Sequence, residues 1–467
     1  MQLQKSDFKK KNVLIMGLGL HGGGVSVARW MVKAGAKVIV TDLKTKNQLI
    51  DSVNSLKPLN ITYHLGGHQY NDFIQNDIIV QNPAVPKESK FLKIAQKAGV
   101  QIENEATLFF KLHNPQKILG ITGTRGKSTT TTLIYELLKK KFKKIKLAGN
   151  IGTVPMFNVI DQIKGQNEVV LELSSWHLEN LGDQKLCPNI AVVTNVMPDH
   201  LNRYKSFKEY IRAKENILRY QRYFDVAVLN RDNQHTKAMG KLVCGRRFWF
   251  SKKEFKNENG SFVKNKNIVF RLDGKETKVA SVSAVKILGE HNIENVLAAV
   301  TVAKLLGVPK LQIKKVLSKF SGVESRLQFI KEINNIKYYN DTASTTPDAT
   351  IAALKTIAKK KNIVLIAGGT DKKLKFENLA KEIKKNCHAL VLLKGEGSKN
   401  IIPRLKKVKF KSLISEVSSM VEAVSIANSL AKKNDIVLLS PACASFNLFT
   451  NEFDRGDQFV NIVKKLK

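Results

Sequence analysis

Twice in this 467-residue chain a short apolar run ends in a glycine cluster and then turns into a segment with helical spacing. Residues 13–16 lead into Gly17-Leu18-Gly19-Leu20-His21-Gly22, and residues 118–122 lead into Gly123-Thr124-Arg125-Gly126 followed by Lys127-Ser128. A strand, a tight turn and a returning helix leave little choice of topology, because the helix must pack back on the sheet and the next strand must run parallel. Further short apolar runs at 37–41, 169–173, 190–194, 363–367, 389–393 and 436–439 alternate with helix-period segments. That alternation predicts an α/β protein of parallel sheets.

The chain is too long for a single hydrophobic core, so two or three domains are expected. One break is expected near 112–116, where His113-Asn114-Pro115 interrupts, and another near 320–325. Residues 245–284, with Asn257-Glu258-Asn259-Gly260, read as hairpins inserted in the middle domain.

Composition narrows the function classes. An apolar content of 43% with 7% aromatics is that of a soluble globular protein, and no apolar run reaches the ~18 residues that span a bilayer. The basic N-terminus runs straight into a strand-like segment without a signal-peptide pattern. Cys187, Cys244, Cys387 and Cys443 are scattered without metal-ligand spacing, which points to a reducing, cytoplasmic setting and no disulfide framework. The formal charge of +39 is unusual. It is mostly lysine spread along the chain, without a basic stripe interleaved with aromatics, so compositional bias is favoured over a specific nucleic-acid partner. No membrane partner and a monomer are expected.

The first turn has the form G-x-G-x-x-G, and Asp42 ends the following strand-like run twenty residues after Gly22. Such a turn brings backbone close to a diphosphate at a helix N-terminus, while the acid reaches a ribose hydroxyl. On these residues alone the ligand is NAD, FAD or another nucleotide, or the glycines serve only a tight turn. In the second turn, backbone N–H groups would point at phosphate oxygens, Lys127 would neutralise β/γ charge and the Ser128 hydroxyl would reach Mg²⁺. Position 121 is Ile where the standard phosphate-loop spacing wants Gly, so this is a shortened variant. Glu172, His200 and Lys214 are weak signals singly: a strand-end acid, a buried or capping histidine and a surface lysine would account for them.

Together the segments are specific. GITGTRGKSTTT, LELSSWHLE, TNVMPDHLNRY, HNIEN, YNDTASTTPDATIAAL and LSPACASFNLF…RGDQF resemble, in order and over about residues 12 to 460, the Mur ligases. NDTASTTPDAT and SPACAS resemble the branch of that family that adds D-glutamate to UDP-N-acetylmuramoyl-L-alanine; another amino acid, or glutamate on a folate, is the alternative within related ligases. The resemblance implies three α/β domains. They are an N-terminal Rossmann-like domain (1–113) holding UDP, a central P-loop-type ATPase domain (114–322), and a C-terminal Rossmann-like domain (323–467) that binds the amino acid and closes over ATP.

It also implies roles position by position. Gly123, Thr124, Arg125, Gly126, Lys127, Ser128 and Thr129 would hold the ATP phosphates, Asn292 and Asn295 the adenine side, and Arg326 and Asp341 the adenosine. Ser128, Glu172, His200 and Lys214 would hold two Mg²⁺, with Lys214 carbamylated into a carboxylate-like ligand, and Lys127, Glu172, His200 and Lys214 would form the catalytic set. Leu20, His21, Asp42, Asn150, Ser174 and His200 would meet the UDP substrate, and Thr345, Lys372, Ser445 and Phe446 the D-glutamate. The chain departs from the family at Asn82-Pro83-Ala84, Ala343, Glu452-Phe453 and Arg125.

Overall fold

The computed structural model describes residues 2–20, 22–151, 154–163, 167–199, 203–371, 374–411, 414–445 and 448–466. Each predicted apolar run is a strand within one or two residues of its expected ends. The first sheet has five parallel strands in the order Ile61–Leu65, Lys37–Asp42, Asn12–Met16, Ile78–Gln81, Gln101–Asn104. The order reverses beside Asn12–Met16, and at such a switch point the loops diverge and leave a crevice at the carboxyl ends. The first glycine turn occupies that place, with Gly23–Lys33 as the returning helix.

The second sheet has nine strands. In spatial order they are Lys275–Ser281, Asn267–Leu272, Gly260–Lys264, Arg246–Ser251, Val226–Asn230, Ile190–Val193, Ile118–Thr122, Val169–Glu172 and Lys146–Gly149. Ile118–Thr122 lies between Ile190–Val193 and Val169–Glu172, all parallel, so the loops that follow these three strands share one edge. The expected hairpins hold for the last three strands in sequence, which pair antiparallel. Arg246–Ser251 and Gly260–Lys264, however, pair parallel, so the Asn257–Gly260 stretch is a crossover and not a hairpin turn. Asp232 anchors the start of that crossover, accepting from the Ser251 hydroxyl at 2.7 Å and from the Lys252 N–H at 2.7 Å.

These two sheets belong to one compact unit, residues 1–285 with 291–318. Phe8, Trp30 and Phe157 meet edge to face at 5.4 and 5.2 Å, and the Trp30 indole N–H donates to Asp161 Oδ1 at 2.9 Å. Apolar burial therefore continues from the first sheet into the 154–163 segment of the second. A second unit, 286–290 with 319–467, carries six strands in the order Gln328–Ile333, Ile336–Asn340, Ile436–Leu439, Ile363–Gly368, Cys387–Leu393, Ile414–Val417. Its first two strands form a hairpin and the rest are parallel. No described helix is long and apolar enough to cross a membrane.

Glu105 opens a helix inside the first unit and is buried where its Oε1 accepts the Phe157 N–H at 3.4 Å. Burial pushes its carboxyl up to about 7, against the downward pull of the Phe157 and Met156 N–H groups. The folded state thus holds this proton more tightly than the unfolded one, so Glu105 takes stability away as pH rises from about 4.5 to about 7. Glu105→Gln should lift that loss. Its melting temperature relative to wild type should rise across this window and level off above it, whereas a pH-independent difference would refute the assignment.

Candidate active site

The second glycine turn is built to a close tolerance. Gly126 has φ +80° and caps the helix Lys127–Leu138, and a Cβ there would lie 2.2 Å from Asn295 Oδ1. Gly123 has φ +151°, and a Cβ there would lie 1.8 Å from Thr194 Oγ1. Both turns of the loop are therefore closed to any side chain, by backbone conformation and by space. Asn195 clamps the loop from the neighbouring strand end. Its carbonyl accepts the Thr124 N–H at 2.8 Å, its Oδ1 accepts the Arg125 N–H at 2.9 Å, and its Nδ2 donates to the Arg125 carbonyl at 3.1 Å. Arg125 is thus pinned by its backbone while its side chain is exposed.

Lys127 Nζ donates to the Thr124 carbonyl at 3.1 Å, which folds the cation back over the loop. Ser128 and Thr129 are buried in the first helical turn. Asn292 and Asn295, expected at the adenine side, lie buried on the adjacent helix His291–Leu305. Asn295 accepts from the Thr130 hydroxyl at 3.2 Å and donates to Asn292 Oδ1 at 2.7 Å. In this structure the pair braces the phosphate loop.

Lys214 is not the surface lysine that its neighbours in sequence suggest. Only 1% of it is exposed, and its Nζ lies 2.9 Å from the Gly123 carbonyl and 4.7 Å from the centre of the Tyr210 ring. Burial, reinforced by Lys127, holds its pKa well below the ordinary lysine value, although Asp199 and Glu172 pull the other way. The amine is therefore biased toward its neutral, nucleophilic form. Tyr210, one turn earlier on the same helix, brings its hydroxyl to 3.2 Å from Thr124 Oγ1. Sequence reading missed Tyr210 and Asn195; the four-residue spacing from Lys214 was the one available sign of the former.

Glu172 ends its strand fully buried. One carboxylate oxygen accepts from Asn150 Nδ2 at 3.1 Å, and the other is buried without a hydrogen-bond partner among the described residues. A buried anionic oxygen left unpaired is costly and suits a cation. Ser174 caps the helix Ser175–Asp183, accepting the His177 N–H at 3.2 Å. The structure thus brings Gly123 to Thr129, Asn150, Glu172, Ser174 and Lys214 to one sheet edge. His200 lies outside the described residues, as do His21, Lys372 and Phe446. Among the described residues no cluster of three His, Cys, Asp or Glu forms a metal site by itself.

At the first glycine turn, Asp42 accepts the Gly19 N–H at 3.3 Å and the Lys44 N–H at 2.9 Å. Asn82, not singled out as a contact by sequence, lies beneath the turn and donates to the Gly17 carbonyl at 3.3 Å. Leu20 is partly buried against the core of this unit.

In the second unit, Asp341 accepts from the Leu327 N–H at 3.0 Å and the Ser440 hydroxyl at 2.7 Å. Burial pushes it up to about 6, opposed by these bonds, by Ser344 and by Arg326. The Thr345 N–H donates to the Ala343 carbonyl at 3.0 Å. Ser445, Thr346 and Thr370 carry buried hydroxyls without a partner among the described residues, and Thr370 pairs by its backbone with Ala444.

Comparison with known families decides the lineage. Residues 11–104 match the Mur ligase MurD-like N-terminal domain, 121–303 the Mur ligase middle domain and 325–443 the Mur ligase glutamate ligase domain. The chain belongs to the Mur ligase family. This Mur ligase is 41% identical to the UDP-N-acetylmuramoylalanine–D-glutamate ligase of Roseiflexus sp. (strain RS-1), over 97% of this chain and 98% of that one. It is 39% identical to the ligase of the same name from Clostridium tetani, over 99% of each chain. Among solved structures it superimposes on the UDP-N-acetylmuramate–alanine ligase of Thermotoga maritima with a TM-score of 0.63 at 22% identity, covering 98% and 100% of the two chains. The pseudomurein peptide ligase type C of Methanothermus fervidus gives 0.55 at 20% identity, covering 98% and 100%. The three-domain Mur ligase fold is thereby established for the chain.

Gly126→Ala tests the tolerance of the loop. The left-handed backbone alone disfavours alanine by about 1–2 kcal/mol, and the Asn295 contact adds to it. ATP affinity, measured by calorimetric titration, should fall at least about tenfold, while unchanged affinity would show that the loop is not the phosphate cradle.

Proposed function

We propose that this Mur ligase uses ATP to join D-glutamate to UDP-N-acetylmuramoyl-L-alanine, a cytoplasmic step in building peptidoglycan precursors. The reading rests on full-length similarity to ligases of that name and on one feature of the site. That feature is the unpaired buried oxygen of Glu172 in the same electrostatic neighbourhood as Lys214 and Lys127 at the phosphate loop.

The chemistry explains why such a site is needed. A carboxylate resists an amine because its oxygen is a poor leaving group. Phosphoryl transfer from ATP makes an acyl phosphate, the amine of D-glutamate attacks its carbonyl carbon, and phosphate leaves as the amide forms. Positioning and charge neutralisation are most of what the protein supplies. Lys127 and the N–H groups of residues 123–128 would take the β/γ-phosphate charge as it shifts. Bound Mg²⁺ would add Lewis-acid stabilisation of the phosphoryl oxygens. Glu172 and Ser128 would hold it, with His200 and a carbamylated Lys214 completing two metal sites.

The depressed Lys214 amine supports the carbamate. A neutral amine attacks carbon dioxide, releases one proton to water and becomes an anion, which removes the conflict between Lys214 and Lys127. Asn150 and Ser174 would meet the muramoyl side of the substrate, and Leu20, His21 and Asp42 the uridine diphosphate. Arg326 and Asp341 would border the adenosine. For the amino acid, Thr345, Lys372, Ser445 and Phe446 remain the proposed contacts. The unpartnered hydroxyls of Ser445, Thr346 and Thr370 favour a small polar ligand there. The limits 1–113, 114–322 and 323–467 would separate these three binding tasks.

Phosphate release with UDP-N-acetylmuramoyl-L-alanine should require D-glutamate and fail with L-glutamate or L-lysine; turnover only with another amino acid would overturn the assignment. Lys127→Ala should abolish turnover, and retained activity would refute its phosphate role. Protein equilibrated with isotope-labelled carbon dioxide should show a carbamate carbonyl resonance that Lys214→Ala lacks. Short carboxylates should restore part of that variant's activity, and absence of both effects would dismiss the carbamate.

A further inference from the structure

The two glycine turns belong to different sheets, yet the reaction needs what they bind to meet. A carboxylate on one substrate must come within bonding distance of a phosphorus on the other, so the spacing of the turns bears directly on rate. Several bonds dock one sheet on the other. Trp30 donates to Asp161, Glu105 accepts from Phe157, and Gln184 Nε2 donates to Glu103 Oε2 at 3.0 Å and to the Ile102 carbonyl at 3.3 Å. On the outside, Lys87 pairs with Asp183 through two exposed side chains.

Arg203, three residues after His200 in sequence, makes a different kind of link. Its guanidinium lies 4.5 Å from the centre of the Trp176 ring, Nη2 donates to Glu179 Oε2 at 3.3 Å, and Nη1 donates to the Ala84 carbonyl at 3.4 Å. Trp176 and Glu179 stand on the helix Ser175–Asp183, which begins three residues after Glu172 ends its strand. Ala84 follows the first-sheet strand Ile78–Gln81, and its N–H is accepted by Asn82 Oδ1 at 3.0 Å. Asn82 in turn donates to the Gly17 carbonyl, and a Cβ on Gly17 would lie 2.9 Å from the Asn82 Cβ. A shift at Ala84 is therefore passed to the first glycine turn through contacts without slack. Tyr204, the next residue, packs edge to face on Tyr210 with ring centres 5.3 Å apart, and Tyr210 reaches Thr124 of the phosphate loop. Two consecutive residues thus connect to the two turns, one to each.

The side chains of Arg203 and Glu179 are 19% and 18% exposed, so this is not a solvated surface pair. Stacking on an aromatic face while donating to two acceptors also demands a planar guanidinium, which lysine cannot supply. We propose that Arg203 is a positioning residue that sets the spacing between the first glycine turn and the phosphate loop, and with it the approach of the acceptor carboxylate to the γ-phosphorus of ATP. The inference rests on the reading above that the first turn holds the UDP end of the substrate. The other bonds between the sheets remain when Arg203 is removed, and a single partly exposed ion pair adds little stability. Its loss should therefore displace the turns without unfolding the protein.

Kinetics and binding, measured separately on the full chain, test this. With all substrates saturating, Arg203→Ala should lower kcat for phosphate release at least about tenfold. Its affinities for UDP-N-acetylmuramoyl-L-alanine and for a non-hydrolysable ATP analogue, by calorimetric titration, should stay within about twofold of wild type. Its melting temperature should fall by less than about 4 °C. Arg203→Lys should recover less than about half of the lost turnover. Lys87→Ala, which removes the exposed pair spanning the same two sheets, should leave kcat within about twofold. Unchanged turnover in Arg203→Ala would overturn the proposal, as would full activity in Arg203→Lys, which would reduce the role to charge. A loss of sugar-nucleotide affinity equal to the loss of turnover would make Arg203 a substrate ligand, and a melting temperature lower by more than about 10 °C would make it a structural brace; either result overturns it. Wild type inactive on UDP-N-acetylmuramoyl-L-alanine would remove the underlying reading and this inference together, whereas active wild type with an equally active Arg203→Ala would remove this inference alone.

Discussion

The arrangement of the site depends on one buried amine. Lys214 sits against the carbonyl of Gly123, the residue at which the chain leaves its strand and enters the phosphate loop. Burying a charged ammonium there would be expensive, and Lys127 nearby makes it more so. Burial and Lys127 thus both favour the neutral amine at this place, against the pull of Asp199 and Glu172. The contact ties a side chain on the helix Phe207–Arg219 to a loop some 90 residues earlier in sequence.

The surrounding contacts keep that loop from relaxing. Asn195 takes three of its backbone groups, Thr194 fills the space beside Gly123, and Asn295 fills the space beside Gly126. With so many fixed partners, the backbone dipoles are oriented before any ligand arrives, which is what electrostatic preorganisation requires. Glu172 completes the pattern from the adjacent strand. Asn150 occupies one of its oxygens and leaves the other available, so the carboxylate is aimed without being satisfied.

Much of this was legible from sequence, and the reason is burial on both faces. Strands such as Ile363–Gly368 and Ile118–Thr122 are entirely buried, so they read as unbroken apolar runs that glycine turns then punctuate. Partners distant in the chain were not legible. Asn195 clamps Arg125 from 70 residues away, and Tyr210 reaches Thr124 from 86. Asn195 carries no local pattern and Tyr210 only its four-residue spacing from Lys214, since each acts through the register of neighbouring parallel strands and helices. The Gly260–Lys264 strand misled for a related reason. Turn-forming residues before it predicted a hairpin, but Asp232 holds the start of that crossover and Gly260 packs on the Trp249 carbonyl in a parallel pair.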